Sequence, residues 1–187
     1  MPRGIRVQFA GGFFHVITRG NRRQLIFTDD IDRRFFLELI GRVVAKHGWR
    51  CHSYCLMPNH YHLLVETPAQ SLSDGMQTIN GVYAQWFNLR HGYEGHLFER
   101  RFRSFVVEGD AHVRVVARYI VLNPVRAGLC RSAADWPWSS YAAALGKTKR
   151  PRFLTLDFLL GQFGPNTDRA RTRFAEFVLD APPRAGP

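Results

Sequence analysis

Two strand-like segments joined by a short turn constrain the fold of this chain more than any other feature. Residues 49–57 suit a β-strand, and so does the apolar run at residues 60–67. Pro58 and Asn59, between the two segments, favour a tight turn. We therefore predict an antiparallel β-hairpin, and the rest of the fold must accommodate the sheet that extends it.

The second strand of this hairpin carries a pair of histidines. Side chains alternate across a strand, so His60 and His62 share one face, with Cα atoms about 6.5 to 7 Å apart. Tyr61, Leu63 and Val65 face the other side. Two convergent imidazole nitrogens can form half of a divalent-metal site, although a histidine pair can also be an ordinary part of a hydrated sheet face. In either case we expect the face around the pair to be exposed.

Hydrophobic periodicity predicts two further strands and three helices around the hairpin. We expect the third helix to end at Asn123, since a residue that precedes proline disfavours helical geometry. In chain order, the predicted elements are a strand at 13–19, a helix capped by Asp29 or Asp30 and ending at 47–48, the hairpin strands at 49–57 and 60–67, a helix opened by Ser71, a strand at 102–108 and a helix capped by Asp110.

This order of elements is typical of an α+β fold. Strand, helix, strand, strand, helix, strand is the βαββαβ split sheet of ferredoxin-like and RRM-like domains, here with an added third helix. Two helices should cover one face of the sheet and leave the other to the histidine pair and the third helix. We place the main domain at residues 1–130, a loop-rich helical extension packed on it at 131–180 and a disordered tail at 181–187. The extension should contain short helices near 140–145, 156–163 and 168–179.

The charge of the chain indicates a polyanionic partner. Its 26 lysine and arginine residues against 15 acidic ones give a net charge of +11 and a pI near 10.4. Arginines outnumber lysines, and the planar guanidinium fork matches phosphate oxygens. Nucleic acid is therefore the expected partner.

The cysteines and the lengths of the apolar segments indicate the cellular compartment. Three cysteines, the third at Cys130, are an odd and sparse set that favours a reducing compartment over a disulfide framework. Cys51 and Cys55 would lie about 13 Å apart along one strand, too far to share a zinc ion with the histidine pair. No apolar leader region or run of membrane-spanning length is evident. We expect a cytoplasmic, nucleoid-associated protein without a membrane partner.

The third helix carries a tyrosine and an asparagine on one flank. Tyr119 and Asn123 are four residues apart and thus neighbours one turn apart, so a metal ion near one is within reach of the other. Taken alone, the tyrosine is as well explained by packing, and the asparagine before proline by capping. The apolar stripe beside them consists of Val113, Val116, Ala117 and Ile120.

A set of short motifs covers much of the first 145 residues. They are FHVITRGNR at 14–22, YCLMPNHYHLLVET at 54–67, GHLF at 95–98, RFRS at 101–104, RYIVLNPVRAG at 118–128 and WPWSSY at 136–141. Together they resemble the single-tyrosine HUH transposases, and within them the REP-associated tyrosine transposases. The combination is highly specific even though each motif is weak alone.

This resemblance implies an activity and a role for each site residue. His60 and His62 would bind Mg²⁺ or Mn²⁺, with Asn123 completing the metal shell. Tyr119 would be the nucleophile that cuts single-stranded DNA, leaving a 5′-phosphotyrosine and a free 3′-OH that allows rejoining. The substrate would be a hairpin or palindromic repeat. Relatives include monomers and homodimers, so either assembly is compatible with the resemblance.

Arginines near these motifs are candidates for contacts with DNA phosphates. Arg90 and His91 begin a basic segment with interleaved aromatic residues, which suits phosphate contacts and base stacking but is equally compatible with a solvated loop. The candidate DNA-binding residues are Arg19, Arg22, Arg23, Arg100, Arg101, Arg103 and Arg126.

Two other functions remain open from the sequence. The same βαββαβ sheet serves non-catalytic nucleic-acid-binding modules, including domesticated relatives that bind without cutting. A metal-dependent hydrolase would instead need a general base near the metal, and Glu66 lies on the histidine face of its strand. Covalent capture of DNA separates these possibilities, because only the transposase forms an adduct.

Overall fold

The computed structural model describes residues 9–181 and contains the predicted order of elements. Short 3-10 turns at Asn21–Arg23 and Ala133–Asp135 complete the secondary structure. The strands and α-helices are β1 (Gly12–Arg19), α1 (Asp30–His47), β2 (Arg50–Met57), β3 (His60–Thr67), α2 (Leu72–His91), β4 (Arg103–Val107), α3 (Asp110–Arg126), α4 (Tyr141–Ala144), α5 (Asp157–Gly161) and α6 (Thr167–Leu179).

The four strands form one antiparallel sheet in the order β2-β3-β1-β4. This is the strand order that the βαββαβ connection produces, so the predicted α+β split sheet is confirmed. α1 and α2 pack on one face, where Phe36 lies 4.6 Å from the ring of Tyr61 and Asn80 accepts a hydrogen bond from the Tyr61 hydroxyl. α3 lies across the opposite face, against β2, β3 and β4.

The face beneath α1 and α2 depends on fully buried apolar side chains such as Leu63. We expect Leu63→Ala to lower the free energy of unfolding by about 2 to 5 kcal/mol, because it leaves a cavity in the core. Urea denaturation of the purified protein measures this. Leu89→Ala is the matched control, since Leu89 is 86% exposed on α2 and its loss should cost no more than about 0.5 kcal/mol. Equal losses for the two variants would contradict this assignment of the core.

The end of α3 differs from the prediction. The helix continues through Pro124 to Arg126, so the expected end at Asn123 is wrong. Proline removes only one helical hydrogen bond when it stands in the last turn, and Pro124 is buried in the core, where its packing offsets that loss. Asp110 also differs from its predicted role, because Gly109 occupies the cap position and Asp110 is the first helical residue.

The segment after α3 runs along the outer edge of β2. Backbone hydrogen bonds join the two: Leu56 N–H donates to Trp138 C=O at 2.8 Å, and Thr155 N–H donates to Cys51 C=O at 2.7 Å. The aromatic and apolar side chains of this segment join the same continuous core as the sheet. The edge strand of the sheet is therefore paired rather than open.

Two further expectations concern membrane-spanning helices and the C-terminal tail. Within residues 9–181, no helix combines the length and apolar character that crossing a membrane requires. Residues 182–187, where the sequence predicts most of a disordered tail, lie outside the described residues.

Candidate active site

The histidine pair lies on the face of the sheet that α3 covers. The rings of His60 and His62 are 5.0 Å apart and nearly perpendicular. His60 is half-buried, but His62 is only 2% exposed, so the expectation of an exposed face is wrong for His62. The ring of Tyr119 on α3 covers it from one side.

A third histidine, His15 on β1, joins the pair. Its Nε2 lies 3.0 Å from Nδ1 of His62, and the two rings are stacked. The strand register makes this contact, since β1 pairs with β3 so that Ile17 opposes His62 and His15 opposes Leu64. The sequence reasoning missed His15. The only available signal was its position on a strand that must pair with β3, and the register needed to use that signal is a tertiary property.

Burial keeps these imidazoles neutral near pH 7. It lowers the pKa of His15 to about 4, with a smaller contribution from nearby His112. Burial also lowers the pKa of His60 to about 4, and the positive charge of Arg19 adds to the effect. The pKa of His62 falls well below its usual value for the same principal reason. A neutral imidazole keeps one lone pair, which is the form that ligates metal ions.

α3 brings Tyr119 and Asn123 to the histidines. The Tyr119 ring lies in a T-shaped arrangement with the rings of His62 at 5.6 Å and His15 at 5.7 Å, and the side chain is 37% exposed. Asn123 donates from Nδ2 to the Tyr119 carbonyl at 2.9 Å. Its side chain faces the imidazoles of both His60 and His62 and partly offsets the lowering of their pKa values. The four residues singled out from the sequence therefore meet at one place.

The donor atoms at this place suit a divalent cation. Nε2 of His62 is buried and has no hydrogen-bond partner of good geometry, which is unusual for a buried polar atom. Among residues 9–181, no cluster of three or more His, Cys, Asp or Glu side chains could hold a metal ion by itself. A cation here would depend on the two histidines and Asn123, with water and substrate oxygens completing its coordination, as Mg²⁺ and Mn²⁺ commonly accept.

A cleft of about 430 Å³ opens beside Tyr119 and the histidines. Because the imidazoles are neutral, arginines dominate its charge, and the guanidinium of Arg126 lies 5.3 Å from the centre of the Tyr119 ring. Arg100 is partly engaged by its neighbour Glu99 at 3.3 Å. The arginines that line the cleft are Arg19, Arg100, Arg101, Arg103 and Arg126.

Four of the basic residues that the sequence suggested for phosphate contacts lie away from this cleft. Arg22 and Arg23 occupy the exposed turn after β1, both with positive φ, and neither lines the cleft. Arg90 is held by ion pairs to Asp29 and Asp32, and His91 contacts Asp32 at 3.0 Å. Both side chains are thus engaged by the acidic start of α1, and the suggestion that they contribute phosphate contacts stays a prediction. Asp29 consequently has a pKa lowered to about 2 by its hydrogen bond from Arg90.

The structure also bears on two other kinds of metal site: a zinc site that includes Cys51 and Cys55, and a hydrolase site with Glu66 as general base. Burial raises the pKa of the Cys51 thiol to about 12 and raises that of Cys55 further, and neither cysteine lines the cleft beside the histidine pair. Glu66 pairs with Arg50 at 2.8 Å and with His52 at 3.2 Å, and it does not line the cleft. The general base that a hydrolase would need is thus engaged elsewhere.

Comparison with known proteins gives a consistent result. A family model described as "Transposase IS200 like" matches residues 10–123. A REP-associated tyrosine transposase of Escherichia coli is 24% identical over 140 residues, covering 73% of this chain and 80% of the relative. A Haemophilus influenzae protein assigned to the same group is 26% identical over 145 residues, covering 70% and 80%. A solved structure described as this type of transposase bound to a REP hairpin shares the fold, with a TM-score of 0.67 at 20% identity, over 84% of this chain and 93% of that one.

Proposed function

The chain belongs to the IS200-like transposase family, and from that premise we propose that it cuts and rejoins single-stranded DNA at hairpin-forming repeats. The single observation that carries the proposal is the meeting of Tyr119, Asn123 and the histidine pair at the floor of an arginine-lined cleft. Its relatives are named for association with REP sequences, and the solved relative is described as bound to a REP hairpin.

In this proposal, Tyr119 is the nucleophile. Its phenolic oxygen attacks the phosphorus, the bond to the 3′ oxygen breaks, and that oxygen leaves as a 3′-OH after taking a proton. The DNA 5′ end stays on the tyrosine as a phosphodiester, so the reverse attack by a 3′-OH can rejoin strands without ATP. The partial exposure of Tyr119 supports this role, because a nucleophile must reach the substrate.

His60, His62 and Asn123 would hold Mg²⁺ or Mn²⁺ in the proposed site. When bound, such an ion neutralises charge on the phosphate as a Lewis acid. The arginines of the cleft add to this effect, since their guanidinium groups bind phosphate oxygens and hold the strand in line with Tyr119. Arg126, against the Tyr119 ring, restricts the position of that ring.

The geometry favours an unpaired strand as the substrate. The cleft is bounded by α3 and the loop before β4, so an extended backbone can enter it, whereas a duplex keeps its backbone wound against the partner strand. A DNA hairpin with a flanking single strand supplies an extended backbone that can enter the cleft and phosphates that its arginines can bind.

Covalent capture tests this proposal. Purified protein incubated with a single-stranded hairpin labelled at its 3′ end and Mn²⁺ should give a labelled protein band that resists denaturant. A hydrolase would release cut DNA without the band, and a pure binding module would give neither product. A blunt, fully paired duplex should not be cut. Comparable cleavage of that duplex would contradict the proposed substrate, even with the adduct present.

Salt dependence tests the contribution of the cleft arginines. Binding of single-stranded DNA should weaken steeply with salt, because each phosphate contact releases counterions. We expect Arg101→Ala with Arg103→Ala to weaken binding and to reduce the slope of log K against log salt by about 1.4, or about 0.7 per contact, without moving the cleavage position. Fluorescence anisotropy at several salt concentrations measures this slope.

The matched control for this prediction is the double variant Arg34→Ala with Arg42→Ala. Both side chains are 70% exposed on α1, which lies on the opposite face of the sheet. This variant removes the same charge but should leave the slope close to the wild-type value. If both double variants change the slope equally, net charge rather than the cleft determines binding.

A further inference from the structure

The hydrogen bonds around His60 determine which of its nitrogens carries the proton. The side chain of Asn59 contacts the backbone carbonyl of Arg23 at 3.1 Å, and a carbonyl can only accept, so the contacting atom is the amide Nδ2. The other amide atom, Oδ1, therefore lies 2.7 Å from Nδ1 of His60. Since Oδ1 cannot donate, Nδ1 must carry the hydrogen. In the neutral ring, the lone pair of His60 is then on Nε2.

Which nitrogen of His62 carries the proton depends on the contact between His62 and His15. Its Nδ1 and the Nε2 of His15 are 3.0 Å apart, and two neutral rings share one hydrogen between them. If His15 donated that hydrogen, Nε2 of His62 would carry a proton directed at the side-chain oxygen of Asn123, and it could not ligate a cation. If His62 donates from Nδ1, Nε2 carries a lone pair instead, as in His60.

Asn123 shows why a cation requires the second arrangement. Its Nδ2 is used by the carbonyl of Tyr119, so its oxygen is the atom left for the imidazoles. With both rings protonated at Nδ1, three lone pairs face one another: Nε2 of His60, Nε2 of His62 and Oδ1 of Asn123. Three acceptors that meet without a donor are the arrangement a cation requires.

We propose that Asn59 and His15 are positioning residues that hold His60 and His62 in one tautomer, with Nδ1 protonated and Nε2 free for a divalent cation. Neither residue lines the cleft, so each acts through the histidine that it contacts. The inference rests on the proposed function and adds to it the residues that prepare the metal ligands.

The amide of Asn59 also links His60 to the exposed turn after β1. That turn contains two consecutive arginines with positive φ, Arg22 at 51° and Arg23 at 60°, a backbone conformation that is uncommon outside glycine and asparagine. The hydrogen bond from Asn59 to the Arg23 carbonyl is one of the contacts that hold the turn. A single side chain thus sets both the shape of the turn and the orientation of a metal ligand.

A direct test is a long-range ¹H–¹⁵N spectrum of the metal-free protein, labelled with ¹⁵N-histidine, near pH 7.5. The expected spectrum shows His60 and His62 with protonated Nδ1 and unprotonated Nε2. His96→Ala, which removes an exposed histidine, serves as an assignment control and should leave both patterns unchanged. Protonation of Nε2 in either His60 or His62 would overturn the proposal.

Metal affinity gives a second, independent readout by calorimetry with Mn²⁺. Asn59→Ala and His15→Phe should each weaken binding by about 10- to 100-fold, the usual effect of removing the partner of a metal-ligating histidine. His15→Gln, whose amide oxygen can accept from Nδ1 of His62, should restore most of the affinity. If the phenylalanine variant binds as well as the glutamine variant, His15 only fills space and the proposal fails for that residue. If His15→Phe does not fold, the Mn²⁺ affinity of Asn59→Ala and the histidine tautomers in the ¹H–¹⁵N spectrum test the proposal instead.

Failure of the inference and failure of the proposed function give different results. If the wild-type protein binds Mn²⁺ and forms the DNA adduct but Asn59→Ala binds the metal equally well, the inference is wrong and the proposed function stands. If the wild-type protein binds no Mn²⁺, the proposed metal chemistry is wrong, while the tautomers seen in the spectrum still support or overturn the positioning role.

Discussion

Tyr119→Phe should abolish the covalent protein–DNA band while leaving the fold and DNA binding intact. The substitution removes only the phenolic oxygen, and the ring that packs beside His15 and His62 is kept. Loss of a nucleophile commonly costs a thousandfold or more in rate, about 4 kcal/mol of transition-state stabilisation. Gel electrophoresis under denaturing conditions measures the band, and anisotropy measures binding.

Tyr93→Phe is the matched control for this loss. Tyr93 is 58% exposed and lies outside the cleft, so the same chemical change there should leave the covalent band unaltered. A Tyr119→Phe protein that still forms the band would show that another residue is the nucleophile. A protein that loses DNA binding as well would contradict the expectation that the hydroxyl acts in attack without contributing to substrate affinity.

His60→Ala and His62→Ala should each lose metal binding and DNA cleavage, but they should differ in stability. His60 is half-buried, and its removal should cost little. His62 is buried and hydrogen-bonded to His15, so its removal leaves that partner unpaired, at a cost of about 1 to 3 kcal/mol. Calorimetry with Mn²⁺ measures the first effect, and thermal unfolding in metal-free buffer measures the second.

His96→Ala again serves as a control, because its side chain is exposed and outside the cleft. It should change neither metal binding nor stability. Full Mn²⁺ affinity in either the His60 or the His62 variant would contradict their assignment as ligands. Equal destabilisation by both variants, with metal affinity retained, would mean that the pair has a structural role.

The order of the elements along the chain and the shared face of the two histidines could be predicted because both follow from local rules. Side-chain alternation in β3 places His60 and His62 together whatever the rest of the chain does, and Pro58-Asn59 makes the hairpin local. Helical spacing likewise brings Asn123 next to Tyr119. The α3 stripe was predictable for the same reason, and all four of its residues are buried: Val113, Val116, Ala117 and Ile120.

The remaining features depend on tertiary contacts that no local pattern contains. The contact between His15 and His62 requires the β1–β3 register, and the burial of His62 requires the placement of α3 over the sheet. The neutralisation of Arg90 depends on its ion pair with Asp32, residues far apart in the chain. The helical continuation through Pro124 shows packing overriding a backbone preference.

The pairing of β2 with the segment that follows α3 has a consequence for biosynthesis. Trp138 and Thr155 supply hydrogen bonds to this strand, yet they are translated some eighty to one hundred residues after it. Until the ribosome has released them, the nascent sheet presents an unpaired edge whose side chains are almost all apolar or buried in the finished fold. This edge is the part of the emerging chain most open to aggregation and to capture by chaperones. Ribosome-bound chains halted before Trp138 should therefore remain sensitive to protease, whereas chains that have released residues beyond Thr155 should resist it.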